Sequence, residues 1–116
     1  MRKKLNGLKS KRQHKMEFIT AQELSEGKDQ FVILDIRDSK SFSQRHIDGS
    51  LNIDVYDDIH NGDHKIVEKK LSGLPKEKTI ITVCNAGITA QPASSILESM
   101  GYSTKVLEDG MIGWNF

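Results

Sequence analysis

An α/β domain, with a central parallel sheet flanked by helices on both faces, is predicted by three observations. Two continuous apolar runs, Phe31-Val32-Ile33-Leu34 and Thr79-Ile80-Ile81-Thr82-Val83, lack the in-out alternation of a half-exposed strand and suit strands covered on both sides. Helical patterns alternate with such runs along the chain, which is the order that builds parallel sheets through crossovers. The chain has 116 residues, enough for one working core and no second domain.

Taken in order, Thr20-Ala21-Gln22-Glu23 has the form of a capping box and predicts a short helix to about Glu26, stopped by Gly27. The first long strand follows, ending in Asp35-Ile36-Arg37. Asp38 or Ser39 is placed to cap a short helix through Gln44, and Gly49 turns the chain into a short strand, Ser50-Leu51-Asn52-Ile53. Residues 54–65 are polar and read as surface loop, and residues 66–71 as one or two helical turns. After Leu74-Pro75 the second long strand runs to Cys84. In residues 90–100, Ala93, Ile96, Leu97 and Met100 share a helical face, with Pro92 in the first turn where an amide is spare. Gly101 ends that helix, residues 103–107 return as a strand, and Asp109-Gly110 turns the chain into its last residues. No internal repeat or low-complexity segment is present.

The net charge of +1 hides a division. Residues 1–16 hold seven of the 17 basic side chains and no acid, leaving ten against all 16 acids, or −6, over residues 17–116. A basic arm, expected to be disordered, therefore precedes an acidic domain. Contact of the arm with tRNA or another anionic surface is suggested by charge alone, since the arm has no aromatic residue for stacking. No stretch approaches 18 apolar residues, so no transmembrane helix or membrane role is expected. The single cysteine excludes an internal disulfide, and a reducing cytoplasm is the expected setting.

That cysteine, Cys84, carries the strongest chemical signal. It stands where a buried strand gives way to a helix and opens the segment Cys84-Asn85-Ala86-Gly87-Ile88-Thr89. A thiol in such a turn faces unpaired backbone N–H groups and the positive end of a helix dipole, both of which favour negative charge on sulfur. The plain alternative is a small buried core residue. The adjacent Gly87 and the position at the carboxyl end of a strand favour the reactive reading.

Four segments resemble, in order, the motifs of the rhodanese (sulfurtransferase) domain family. The strand ending Asp35-Ile36-Arg37 is similar to the family's Asp-x-Arg. Phe42 with His46-Ile47-Asp48-Gly49-Ser50-Leu51-Asn52-Ile53 resembles its His-Ile-x-Gly-Ala-x-Asn-Ile stretch. Residues 84–89 resemble the six-residue active loop with glycine fourth, and Leu107-Glu108-Asp109-Gly110-Met111-Ile112-Gly113-Trp114 resembles the closing Leu-x-Gly-Gly-Met-x-x-Trp. The resemblance implies a sulfurtransferase in which Cys84 takes a sulfane sulfur from a small donor, holds it as a persulfide and passes it to a thiol, cyanide or a protein sulfur carrier, without metal or organic cofactor.

On this reading the amides of residues 85–89 (Asn85, Ala86, Gly87, Ile88 and Thr89) cradle the sulfur, and Gly87 lets the loop curl with its N–H groups inward. Ile88 is expected to plug the loop into the core, and Thr89 to cap the following helix or to bond the sulfur. Asp35 and Arg37 are expected to support the loop, Arg37 by pairing with an acid or by adding positive field near Cys84. His46 reads as a turn anchor rather than a general base, and Trp114 as a core lid. The stretch from Asp54 to His64 has metal-ligand residue types without zinc or EF-hand spacing, so no metal site is assigned.

Two departures from the family pattern bear on specificity. Thr89 stands where single-domain relatives often carry Arg, and Asp109 replaces the first closing glycine. With no cation in residues 85–89, thiosulfate is expected to be a poor donor. A non-catalytic partner-binding or regulatory module is the alternative function, and the intact cysteine loop counts against it. A cysteine phosphatase needs a wider loop with an arginine clamp, and the sixth residue after Cys84 is Ala90.

Overall fold

The computed structural model describes residues 15–116. Nearly all of the basic arm, with its expected disorder and nucleic-acid contact, lies outside the described residues. Met16, at its end, packs partly buried against the core.

Five parallel strands form one sheet in the order β1-β5-β4-β2-β3. They are β1 (Phe18–Ile19), β2 (Phe31–Asp35), β3 (Leu51–Asn52), β4 (Thr79–Val83) and β5 (Thr104–Leu107). The helices are α1 (Ala21–Gly27), α2 (Ser39–Gln44), α3 (Tyr56–His60), α4 (His64–Leu71) and α5 (Ala90–Ser99). Both continuous apolar runs are inner strands, paired from Phe31↔Thr79 to Asp35↔Val83. Strand β1 had no counterpart in the sequence reading: two residues carry no periodicity, and the strand exists by pairing with β5 at Phe18↔Val106.

Successive strand residues feed opposite cores, as the pleat requires. Leu34, Ile80, Val106 and Cys84 join Val67, Leu71, Ala93 and Leu97 on the face covered by α4 and α5. Ile33, Ile81, Val83 and Leu107 join Leu24, Ile47, Met111 and Trp114 on the other. Helices thus cover both faces, and Trp114 closes the second core at 4% exposure.

The expected caps are present. Thr20 Oγ1 accepts from the Glu23 N–H while Glu23 Oε1 accepts from the Thr20 N–H, each at 3.0 Å. Asp38, rather than Ser39, caps α2 by accepting from the Ser41 N–H at 2.7 Å. That bond holds the Asp38 carboxyl below its ordinary value.

The polar segment expected as loop is a correction. Residues 56–60 form α3, and α4 begins at His64, two residues earlier than the sequence suggested. A five-residue helix leaves too little periodicity to read, and its apolar packing on the core comes from the buried Val55 at its start and the partly buried Ile59.

Candidate active site

Strand β4 is central in the sheet, and the chain leaves its carboxyl end at Cys84 to enter α5. This is the edge where open α/β sheets place ligands. Cys84 is 2% exposed. Its Sγ accepts from the backbone N–H of Gly87 and of Ala90, each at 3.2 Å. Two amides from the two ends of the turn therefore converge on one sulfur atom at the start of a ten-residue helix. The sequence reading placed the donors within residues 85–89; Ala90, the first residue of α5, lies just beyond, and an amide donor leaves no side-chain signature.

Gly87 adopts φ +84, and a Cβ there would meet the Asp109 nitrogen at 3.1 Å and the Leu107 carbonyl at 3.3 Å. The loop thus needs glycine both to curl and to lie against the end of β5. Its carbonyl accepts from Gln91 Nε2 at 2.9 Å.

Two side-chain expectations are corrected. Ile88 is 69% exposed instead of plugging the core, because amides that converge inward turn neighbouring side chains outward. Thr89 makes no capping hydrogen bond; its backbone is helical, at φ −67 and ψ −26, instead of extended as at a usual cap. Its hydroxyl meets His60 Nε2 at 3.1 Å. Asn85 and Ala86 are exposed at the rim.

The closing segment grips the loop from outside. The Met111 N–H donates to the Cys84 carbonyl at 2.8 Å, and the Ile112 N–H to the Asn85 carbonyl at 2.9 Å. Gly110, at φ +54, lies so close that a Cβ would stand 2.4 Å from the Cys84 oxygen and 2.7 Å from the Asn85 carbonyl carbon. Those neighbours are backbone and cannot step aside. Gly110→Ala should therefore cost about 2–4 kcal/mol in stability, with sulfur loading impaired as well. Urea unfolding beside a loading assay checks this, and a loss below about 0.5 kcal/mol would contradict the contact. Asp109 enters this turn in the left-handed conformation at φ 66, a position its glycine counterpart in the resembling motif would occupy without strain.

Asp35 and Arg37 support this end of the sheet by pairing with each other. Arg37 Nη2 reaches Asp35 Oδ2 at 2.7 Å and Nε reaches Oδ1 at 2.9 Å, with both side chains buried. Nη2 also donates to the Arg45 carbonyl at 2.7 Å. The guanidinium charge is thus matched by its own carboxylate. Asn52 Nδ2 ties the same corner by donating to the Asp35 and Arg37 carbonyls at 3.0 and 2.8 Å. Arg45, which no sequence motif singles out, donates to the Met111 carbonyl at 3.0 Å and to that of Trp114. Its targets are backbone oxygens far along the chain, and no local pattern announces them. His46 Nδ1 lies 2.7 Å from the Phe42 carbonyl, with the two rings stacked.

Among the described residues, no group of three or more His, Cys, Asp or Glu side chains is placed to hold a metal ion. Among them too, no helix is long and apolar enough to cross a membrane.

Residues 20–116 match the model of the rhodanese-like domain. The chain belongs to the rhodanese-like domain family. It is 22% identical over 89 residues to a Bacillus subtilis (strain 168) protein named "Putative sulfurtransferase YtwF", covering 77% of this chain and 78% of that one. A rhodanese-related protein of Thermoplasma volcanium superposes with a TM-score of 0.72 at 22% identity, over 84% of this chain and 89% of that one. An NAD-dependent persulfide reductase from A. fulgidus aligns with a TM-score of 0.66 at 30% identity, over 95% of this chain and 18% of that one. This chain thus spans under a fifth of that protein's length.

Proposed function

We propose that this domain is a sulfurtransferase that carries sulfane sulfur as a persulfide on Cys84. The observation that supports it best is the pair of backbone N–H groups converging on Sγ at 3.2 Å in a buried turn. In the first half-reaction the Cys84 thiolate attacks the outer sulfur of a donor persulfide, R–S–SH. The Sγ–S bond forms, the donor S–S bond breaks, and R–S⁻ leaves and takes the proton. In the second, cyanide or a thiolate attacks the outer sulfur and Cys84 leaves as thiolate, so no net oxidation occurs. Negative charge sits on or beside Sγ at every stage, and fixed amides stabilise it without reorganising. The family assignment and the sulfur chemistry named for two relatives point the same way.

The rim argues for a donor of low charge. Ile88 and Ile112 are 69% and 73% exposed, Asp109 beside Gly87 is exposed, and residues 85–89 bear no cation. Thiosulfate, a small dianion, meets apolar and acidic side chains there.

Sulfur transfer to cyanide, compared across donors, tests the reading. Alkyl persulfides should be turned over and thiosulfate should show a Michaelis constant at least about tenfold higher, with aryl phosphates untouched. Asn85→Arg should improve thiosulfate use a few-fold, because a solvated charge at a rim contributes about 1 kcal/mol or less. Thiosulfate turnover equal to that of the best persulfide would sink the specificity claim, and efficient Cys84-dependent phosphate hydrolysis would overturn the assignment.

A further inference from the structure

We propose that His60 is a positioning residue for the active loop, acting through Thr89 to hold the Ala90 N–H on Cys84 Sγ. The proposal rests on the sulfurtransferase reading and adds to the loop a residue from a different element. Its starting point is a contrast among three helix starts. Thr20 and Asp38 have ψ of 161 and 162, and their side chains accept from amides of the first helical turn. Thr89 stands in the same place before α5 with ψ −26 and makes no such bond. Its hydroxyl has been released from capping, and His60 Nε2 meets it at 3.1 Å.

The angle ψ of residue 89 sets the plane of the peptide that carries the Ala90 N–H. At the observed value that N–H donates to Sγ at 3.2 Å. A swing of Thr89 towards the extended geometry of an ordinary cap would let its hydroxyl serve the helix amides and turn the Ala90 N–H off the sulfur. The His60 contact opposes that swing. Gln91, bonding the Gly87 carbonyl at 2.9 Å, steadies the other donor's part of the loop independently.

His60 is held firmly enough for this. It ends α3, whose start is fixed where the Val55 N–H meets the Ile36 carbonyl at 3.4 Å. Lys70 of α4 bonds Asp58 of α3 at 2.7 Å, and the Tyr56 ring lies 4.5 Å from the imidazole. Thr89 is 7% exposed whereas His60 is exposed, so the bond has one buried and one solvated side. The solvated side of the bond sets the size of the effect at a few-fold.

The test compares His60→Ala, His60→Gln, Thr89→Val and the double variant His60→Ala/Thr89→Val in the full chain. Two readouts are needed: the rate of Cys84 sulfur loading from an alkyl persulfide, and hydrogen exchange of the Ala90 amide by NMR. His60→Ala and Thr89→Val should each lower the maximal loading rate about fivefold with the donor Michaelis constant within about twofold, and Ala90 exchange should quicken while β4 amides stay protected. His60→Gln, which keeps a side-chain hydrogen-bonding group, should recover most of the rate. The double variant should be no slower than either single one, as for two groups acting as one unit. Unchanged loading and unchanged Ala90 protection in His60→Ala would overturn the clamp, as would Gln failing as badly as Ala or full additivity in the double variant. If the unaltered protein takes up no sulfur from any donor, the transferase reading falls instead, and the exchange of Ala90 alone decides the clamp.

Discussion

Cys84→Ser should reduce sulfur transfer to background while leaving the domain folded. Serine places an oxygen where Sγ accepts from the Gly87 and Ala90 amides, so the turn keeps its donors partnered and the buried site loses only a little volume. A hydroxyl is not ionised at neutral pH and cannot carry a sulfane sulfur, so chemistry should stop while structure persists. The loss of stability should stay within about 1–2 kcal/mol, and thermal unfolding measured beside the cyanide assay separates the two effects. A serine variant with normal transfer would mean that sulfur is carried elsewhere.

Arg37→Ala should be the most destabilising of the substitutions considered. It would leave Asp35, 1% exposed, as a buried carboxylate without its cation, and would strip a donor from the Arg45 carbonyl. Removing one partner of such a pair costs about 3–5 kcal/mol, a large share of the roughly 5–15 kcal/mol that stabilises a domain. Replacing both partners, as Asp35→Leu with Arg37→Met, should recover part of that loss because no uncompensated charge remains. Urea midpoints for the two variants give the answer. A loss under about 1 kcal/mol in Arg37→Ala would show that the pair is not what holds this corner.

The parts of the fold visible in the sequence are those with a local cause. The unbroken apolar runs of β2 and β4 announce strands buried on both faces, and Thr20 with Glu23 announces a helix start through a bond between residues three apart. Cys84 at a strand end beside glycine is legible for the same reason. What escaped is carried by backbone atoms or by side chains reaching distant backbone. The Ala90 amide on Sγ, the Met111 and Ile112 amides on the loop carbonyls, and Arg45 on the Met111 carbonyl have no sequence pattern. Ile88 and Thr89 depart from expectation because hydrophobicity and capping preference are averages over sites. In a loop whose amides face a central sulfur, the backbone direction overrides both. Helix α3 was missed because one and a half turns hold no readable period, and its role emerges only when His60 is found against Thr89.

The most direct measurement is the intact mass of the protein after incubation with an alkyl persulfide and removal of excess donor. A gain of one sulfur atom should appear, map to Cys84 by fragmentation, vanish on addition of cyanide, and be absent in Cys84→Ser. Failure of the unaltered protein to gain that mass from any sulfane-sulfur donor, with the domain folded and its thiol free, would contradict persulfide transfer as the work of this site.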